Sequence, residues 1–126
     1  RVEVGTYEVT LTDHGRSDPL FGELPESFHA QMGRKDRAEA LPAGVVHLAS
    51  SERCRYHALR VPDAPIWSTQ FHPELDLQRN RSRFERYIDG YAPLMTDEER
   101  ERALEGFLES PETDRLLSRF LQVVFG

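Results

Sequence analysis

The chain has 126 residues, enough for one domain or a large piece of one. Apolar residues make up 38% and charged residues 30%, with both signs spread along the chain, so the composition fits a folded protein with a modest core rather than a disordered one. A balance of 16 basic against 22 acidic residues, net charge -6, argues against nonspecific nucleic-acid binding; no apolar run has the length of a membrane span; and the single Cys54 excludes an internal disulfide. A lone cysteine without a visible signal peptide points to a reducing, cytoplasmic setting. The first residues, Arg1-Val2-Glu3-Val4-Gly5, carry no initiator methionine, as expected of a chain that starts partway through a longer protein.

In chain order, Tyr7 to Thr12 alternates and is rich in β-formers, which predicts a strand. Asp13 to Pro19 reads as a loop, and Leu20 to Pro25 as a short helical turn or irregular connection. Ser27 to Gln31 is a candidate strand, Asp36 to Ala40 a helical turn, and Pro42-Ala43-Gly44 a tight turn. Val45 to Ser50, Tyr56 to Val61 and Ile66 to Phe71 are three further strands, separated by Ser51-Glu52-Arg53 and Asp63-Ala64-Pro65. After Pro73 the period changes. Leu77, Phe84, Ile88 and Tyr91 recur near helical spacing, predicting a helix over 77–89 ended by Gly90. Thr96 and Glu99 form a capping box for a helix over 97–108. Ser110-Pro111 starts a last helix over 111–124, with Leu116, Leu117, Phe120, Leu121 and Val124 in one stripe. Short strands with tight connections followed by helices suggest an antiparallel meander rather than a βαβ series.

The segment Trp67-Ser68-Thr69-Gln70-Phe71-His72-Pro73-Glu74 carries the chemistry. A strand delivers His72 at its C-terminal end, Pro73 stiffens the backbone, and Glu74 follows. These are two parts of a nucleophile–base–orienter set: the imidazole takes a proton from a thiol or hydroxyl, and the carboxylate fixes its tautomer. By composition alone, a capped strand end with an exposed histidine and a solvated glutamate explains the pair as well. No two of His14, His29, His47 and His57 have metal-ligand spacing, and no glycine-rich phosphate loop is present, so no metal and no cofactor are expected. Arg79, Arg81, Arg83 and Arg86, interleaved with Asp76, Glu85 and Asp89, read as a salt-bridged helix face.

Gln70-Phe71-His72-Pro73-Glu74 resembles the C-terminal triad motif of class I glutamine amidotransferases, and other blocks agree in order. These are Glu3-Val4-Gly5, Asp18-Pro19-Leu20-Phe21, Leu24-Pro25, Leu41-Pro42-Ala43-Gly44, Leu48-Ala49-Ser50-Ser51 and Arg60-Val61. The resemblance spans Val2 to Leu75, and the helices beyond are similar to the C-terminal extension of stand-alone, GMP-synthase-like members. It implies the C-terminal part of an α/β, flavodoxin-like domain, with residues 1–75 as the C-terminal half of the core and 76–126 as a helical segment of the same domain. It implies a Cys-His-Glu triad in which His72 is base and acid and Glu74 its orienter. Glutamine is then the substrate, and the implied partner is an ammonia-accepting synthase, as a further domain or a separate subunit.

The resemblance also implies a cysteine on a glycine-flanked elbow, upstream of Glu3 in similar proteins. No Gly-x-Cys-x-Gly occurs in the chain, and Cys54, between Arg53 and Arg55 with no glycine beside it, reads as a half-buried strand residue. The chain by itself is therefore expected to be inactive, and to pair with an N-terminal half or to self-associate. Arg34 stands where similar proteins tend to have a histidine, and His29 is out of register with it. A non-catalytic binding or regulatory module on the same scaffold, or a related gamma-glutamyl hydrolase or peptidase, are the alternative expectations.

Overall fold

A strand needs a partner on each buried edge, and the five strands of the computed structural model, which describes residues 3–34 and 38–126, meet that need in one antiparallel sheet ordered β2-β1-β3-β4-β5. β1 (Glu3–Leu11) pairs with β2 (Ser27–Arg34) along nearly its whole length, from Glu3 opposite Arg34 to Thr10 opposite Ser27. Only its last two residues, Thr10 and Leu11, pair with Ser50 and Ala49 of β3 (Val46–Ser50). β3, β4 (Ala58–Val61) and β5 (Ile66–Thr69) complete the expected meander. β1 begins four residues before the predicted start, because Gly5 takes φ +111° and lies beside the backbone of Ala103, letting the chain pass close under a helix.

Beyond β5 the chain closes the sheet. Gln70 N–H still donates to the His57 carbonyl on the β4 side (2.8 Å), whereas His72 N–H donates to the Gln31 carbonyl of β2, at the far end of the strand order (2.8 Å). Between the two, Phe71 is buried against the rings of Phe21, Phe28 and His57. The predicted strand over 66–71 is thus a ladder that stops at Thr69 and a crossing peptide that follows it.

Alternation along the strands divides the apolar side chains between two faces. Val9 and Leu11 of β1 and Phe28, Ala30 and Met32 of β2 join Leu20, Phe21, Leu48 and Leu116 in the larger core. Val4 lies on the opposite face, with Phe84, Ala103 and Phe107. The first face is covered by α1 (Asp13–Ser17), the turn at Phe21–Glu23 and α5 (Leu116–Phe125); the second by α2 (Leu77–Tyr91) and α3 (Asp97–Glu105).

Helix boundaries differ from expectation for local reasons. Residues 13–17 form a helix rather than a loop because the Thr12 hydroxyl caps it, accepting from Gly15 N–H at 3.1 Å. Gly15 is obligatory there, since a Cβ would stand 2.1 Å from the Leu48 carbonyl oxygen. α2 runs one residue past Gly90 and kinks at Tyr87 (φ -110°, ψ 15°). α3 ends at Glu105, with Gly106 as its cap, so that Phe107 leaves the helix and enters the second core. The last helix is two: α4 (Pro111–Asp114) and α5, separated at Arg115. The single stripe expected on α5 divides accordingly, Leu116 and Phe120 packing inward while Leu117 and Leu121 remain 50% and 56% exposed. The turn expected over Asp36–Ala40 falls partly outside the described residues; residues 39 and 40 form a bend.

The capping box on α3 is present, with Thr96 Oγ1 accepting from Glu99 N–H (3.1 Å) and Glu99 Oε1 from Thr96 N–H (3.2 Å). The Thr96 backbone N–H first, then the Arg53 guanidinium at 2.8 Å, hold the Glu99 carboxyl below its ordinary value. At Asp114 desolvation first, then the charges of Asp76 and Glu112, push the carboxyl above its ordinary value. The two signs are opposite. Glu99 adds stability at neutral pH that is lost as pH falls through its depressed folded value. The ionised Asp114 opposes folding at neutral pH, and that opposition is relieved as pH falls through its raised value. Thermal melts should therefore show Glu99→Gln less stable at pH 7 by roughly 0.5–1 kcal/mol, the scale of one cap contact. Asp114→Asn should be more stable at pH 7, and both differences should shrink near pH ~3, below ordinary carboxylate titration.

Candidate active site

His72 is held by its backbone before its side chain does anything. Phe71 anchors the preceding residue in the core, the Gln31 carbonyl takes the His72 N–H, and the Leu75 N–H donates to the His72 carbonyl (3.2 Å), closing a turn around Pro73. The turn brings Glu74 back onto the imidazole, with its carboxylate oxygens 3.0 and 3.3 Å from Nδ1. On the opposite edge of the ring, Arg83 Nη1 of α2 lies 3.2 Å from Nε2. A guanidinium only donates, so Nε2 is the acceptor and Nδ1 carries the proton given to Glu74. The result is a neutral imidazole of defined tautomer. The His72 side chain is 29% exposed, so the ring is accessible at a surface rather than sealed in the core.

Beneath it lies a buried polar hub. Gln31 Nε2 donates to the Leu108 carbonyl (2.8 Å) and to Ser110 Oγ (3.0 Å). Its Oε1 accepts from Asn80 Nδ2 (2.9 Å) and from Thr6 Oγ1 (3.0 Å). Asn80 Nδ2 also donates to the Gly5 carbonyl (3.1 Å), and Leu108 N–H to Thr6 Oγ1 (2.9 Å). One amide thus joins β1, β2, α2 and the segment between α3 and α4. Because Gln31 also supplies the carbonyl under His72, the hub sets where α2, with Arg83, stands relative to the imidazole. The start of α2 is fixed by Asp76, whose Oδ1 accepts from Arg79 N–H at 2.8 Å.

A second buried carboxylate holds β5 from the other side. Asp18 accepts from the N–H groups of Leu20 and Phe21 (2.9 and 3.0 Å) and from Trp67 Nε1 (3.1 Å), and pairs with Arg60 (3.3 Å). Arg60 also lies over the Trp67 ring, 4.8 Å from its centroid. The Asp18-Pro19-Leu20-Phe21 block is in this way a structural clamp.

The structure brings His72 and Glu74 together and leaves the other sequence candidates elsewhere. Cys54 lies in a Ser51–Cys54 turn, not at the start of a strand, and is fully buried, so its thiol has no access to a substrate. His47 Nε2 meets the Arg55 carbonyl (2.6 Å), and His57 is buried against Phe71. His29 is an exposed β2 residue opposite Glu8. Arg34 ends β2, and its side chain is outside the described residues. Among the described residues no cluster of His, Cys, Asp or Glu has the geometry to hold a metal, and no helix is long and apolar enough to cross a membrane. Arg81 pairs with Glu85 (3.3 Å), as a salt-bridged face predicts, but Arg83 turns to His72 instead. Sequence reasoning misses Gln31, Asn80 and the place of Arg83 beside the imidazole. Asn80 carries a signal: it falls at 77, 80, 84, 88 spacing, a polar residue inside the apolar stripe of α2.

Residues 3–87 match the family model described as Glutamine amidotransferase class-I. The chain belongs to the class I glutamine amidotransferases, and its α/β arrangement is part of their flavodoxin-like fold. It is 43% identical over 60 residues to a glutamine-hydrolyzing GMP synthase of Thermosipho africanus, covering 48% of this chain and 12% of that one. It is 33% identical over 75 residues to one of the separate subunits of the glutamine-hydrolyzing GMP synthase of Methanocaldococcus jannaschii, covering 60% and 40%. A glutamine amidotransferase of Thermotoga maritima shares the fold, with a TM-score of 0.69 at 23% identity, over 97% of this chain and 50% of that one. The chain thus spans half or less of the length of each.

Replacing Gln31 by Leu leaves the Asn80 amide and the Leu108 carbonyl buried without their partner. Urea unfolding should register a loss of about 2–4 kcal/mol, the sum of more than one orphaned buried group. A change below ~0.5 kcal/mol, the level of a neutral surface substitution, would mean that the hub does not hold α2 to the sheet.

Proposed function

We propose that the protein to which this chain belongs hydrolyses the side-chain amide of glutamine, with His72 as general base and acid and Glu74 as its orienter. The observation that carries this is the ring geometry: Glu74 sits on Nδ1, which leaves Nε2 as the nitrogen that receives a proton. In the reaction, Nε2 takes the thiol proton of a cysteine supplied from outside residues 1–126. The thiolate adds to the amide carbon, and backbone N–H groups beside that cysteine hold the developing oxyanion. As the C–N bond breaks, His72 returns the proton to the departing nitrogen, releasing ammonia and leaving a glutamyl thioester. His72 then deprotonates water, which cleaves the thioester to glutamate and restores the thiol.

Residues 1–75 are, in this proposal, the C-terminal half of the catalytic core and 76–126 a helical segment of the same domain. Its partners are glutamine, the half that carries the cysteine, and a synthase domain or separate synthase chain that accepts ammonia. The last of these is supported by relatives whose names describe them as one subunit of a GMP synthase. The exposed row Leu117, Leu121 and Phe125 on α5 is apolar surface of the kind that a second half, or a second copy, covers.

The test is glutamine hydrolysis by the full-length protein. His72→Ala is expected to lower kcat/KM by about 10²–10⁴, the usual contribution of a positioned acid–base group. Glu74→Gln should lower kcat with KM little changed, and residues 1–126 alone should give no ammonia above buffer. A full-length protein that binds glutamine without hydrolysing it would favour a binding module, and turnover of gamma-glutamyl peptides in its place would favour a hydrolase of that class.

A further inference from the structure

The geometry points to Arg83 as a latch on the candidate base: its guanidinium occupies His72 Nε2, the nitrogen that must accept the thiol proton, and must leave before the base can work. The inference rests on the proposed role of His72. Three observations bear on it. Arg83 Nη1 is 3.2 Å from Nε2, and Glu74 already holds Nδ1, so no other nitrogen of the ring is open. Among the described residues no carboxylate pairs with Arg83, whereas its neighbour Arg81 pairs with Glu85, so the imidazole is the one polar group that takes this guanidinium. Arg83 also forms part of the wall of an open groove of about 870 Å³ along α2, with Arg79, Ser82, Arg86 and Tyr87. The side chain therefore has a solvent-filled space to swing into without disturbing the core.

The chemistry gives the contact a direction. While Arg83 donates to Nε2, that lone pair is committed. A proton arriving there would also place an imidazolium against a guanidinium, which like-charge repulsion opposes. Arg83 thus holds His72 in the productive tautomer, Nδ1–H toward Glu74, and at the same time keeps it idle. It is a positioning residue, acting on the reaction only through the imidazole.

Two measurements test it. In long-range ¹H–¹⁵N spectra of this chain, above the pH at which imidazole is protonated, wild-type His72 should appear as the Nδ1–H tautomer with a hydrogen-bonded Nε2. Arg83→Met, which keeps the length and removes the donor, should shift the Nε2 resonance toward that of a free acceptor. In the full-length protein, Arg83→Met should raise kcat for glutamine hydrolysis by roughly two- to tenfold, the factor one net hydrogen bond commands, with KM little changed. Arg83→Lys, which retains a donor, should lie nearer to wild type. Unchanged His72 nitrogen shifts in Arg83→Met, or a kcat at or below wild type, overturns the latch. Full activity in His72→Ala would instead overturn the assignment of the base, and the nitrogen shifts would still report whether Arg83 engages the ring.

Discussion

One hydrogen bond, from the His72 N–H to the Gln31 carbonyl, ties the end of the strand ladder to its beginning. The sheet order puts β2 and β5 at opposite edges. The two-residue step from Gln70 to His72 crosses that distance because Phe71 fills the space between them with a ring packed on Phe21, Phe28 and His57. An open edge would leave unpaired backbone groups facing solvent or another chain. The same residue that caps this edge presents the imidazole, so closure of the sheet and placement of the candidate base are a single event.

The side chain of Gln31 extends that coupling to the second layer. Its amide is satisfied on both ends by partners from β1, α2 and the α3–α4 segment. A buried amide is favourable only while every partner is in place. The position of α2 is for that reason fixed by direction as well as by apolar contact from Phe84 and Leu77, and Arg83 inherits that precision. The scaffold under His72 is polar on the α2 side and aromatic on the other.

Much of this is legible from residues alone. Alternation exposes the strands, the Thr96–Glu99 pair marks α3, and the order of short blocks around Gln70-Phe71-His72-Pro73-Glu74 marks the family. What cannot be read is set by tertiary contact. Residues 13–17 look like a loop until Thr12 is seen to cap them and Gly15 to slot against Leu48. The arginine run on α2 has the period of an ion-paired face, and only the fold turns Arg83 toward the imidazole. Gln31 sits in a strand with no local pattern to mark it, because its four partners come from residues as far away as Ser110.

The cross-strand pair of Thr6 and Gln31 has a consequence for how the hairpin of β1 and β2 finds its alignment. Slippage of β2 by one residue would turn Gln31 toward the apolar layer of Phe28 and Met32 and drive an apolar neighbour into the polar hub, exchanging satisfied groups for stranded ones on both faces at once. The hub therefore acts as a proofreading device for strand alignment. A misaligned hairpin is penalised before any helix docks, and only the aligned one carries the carbonyl that receives the His72 amide.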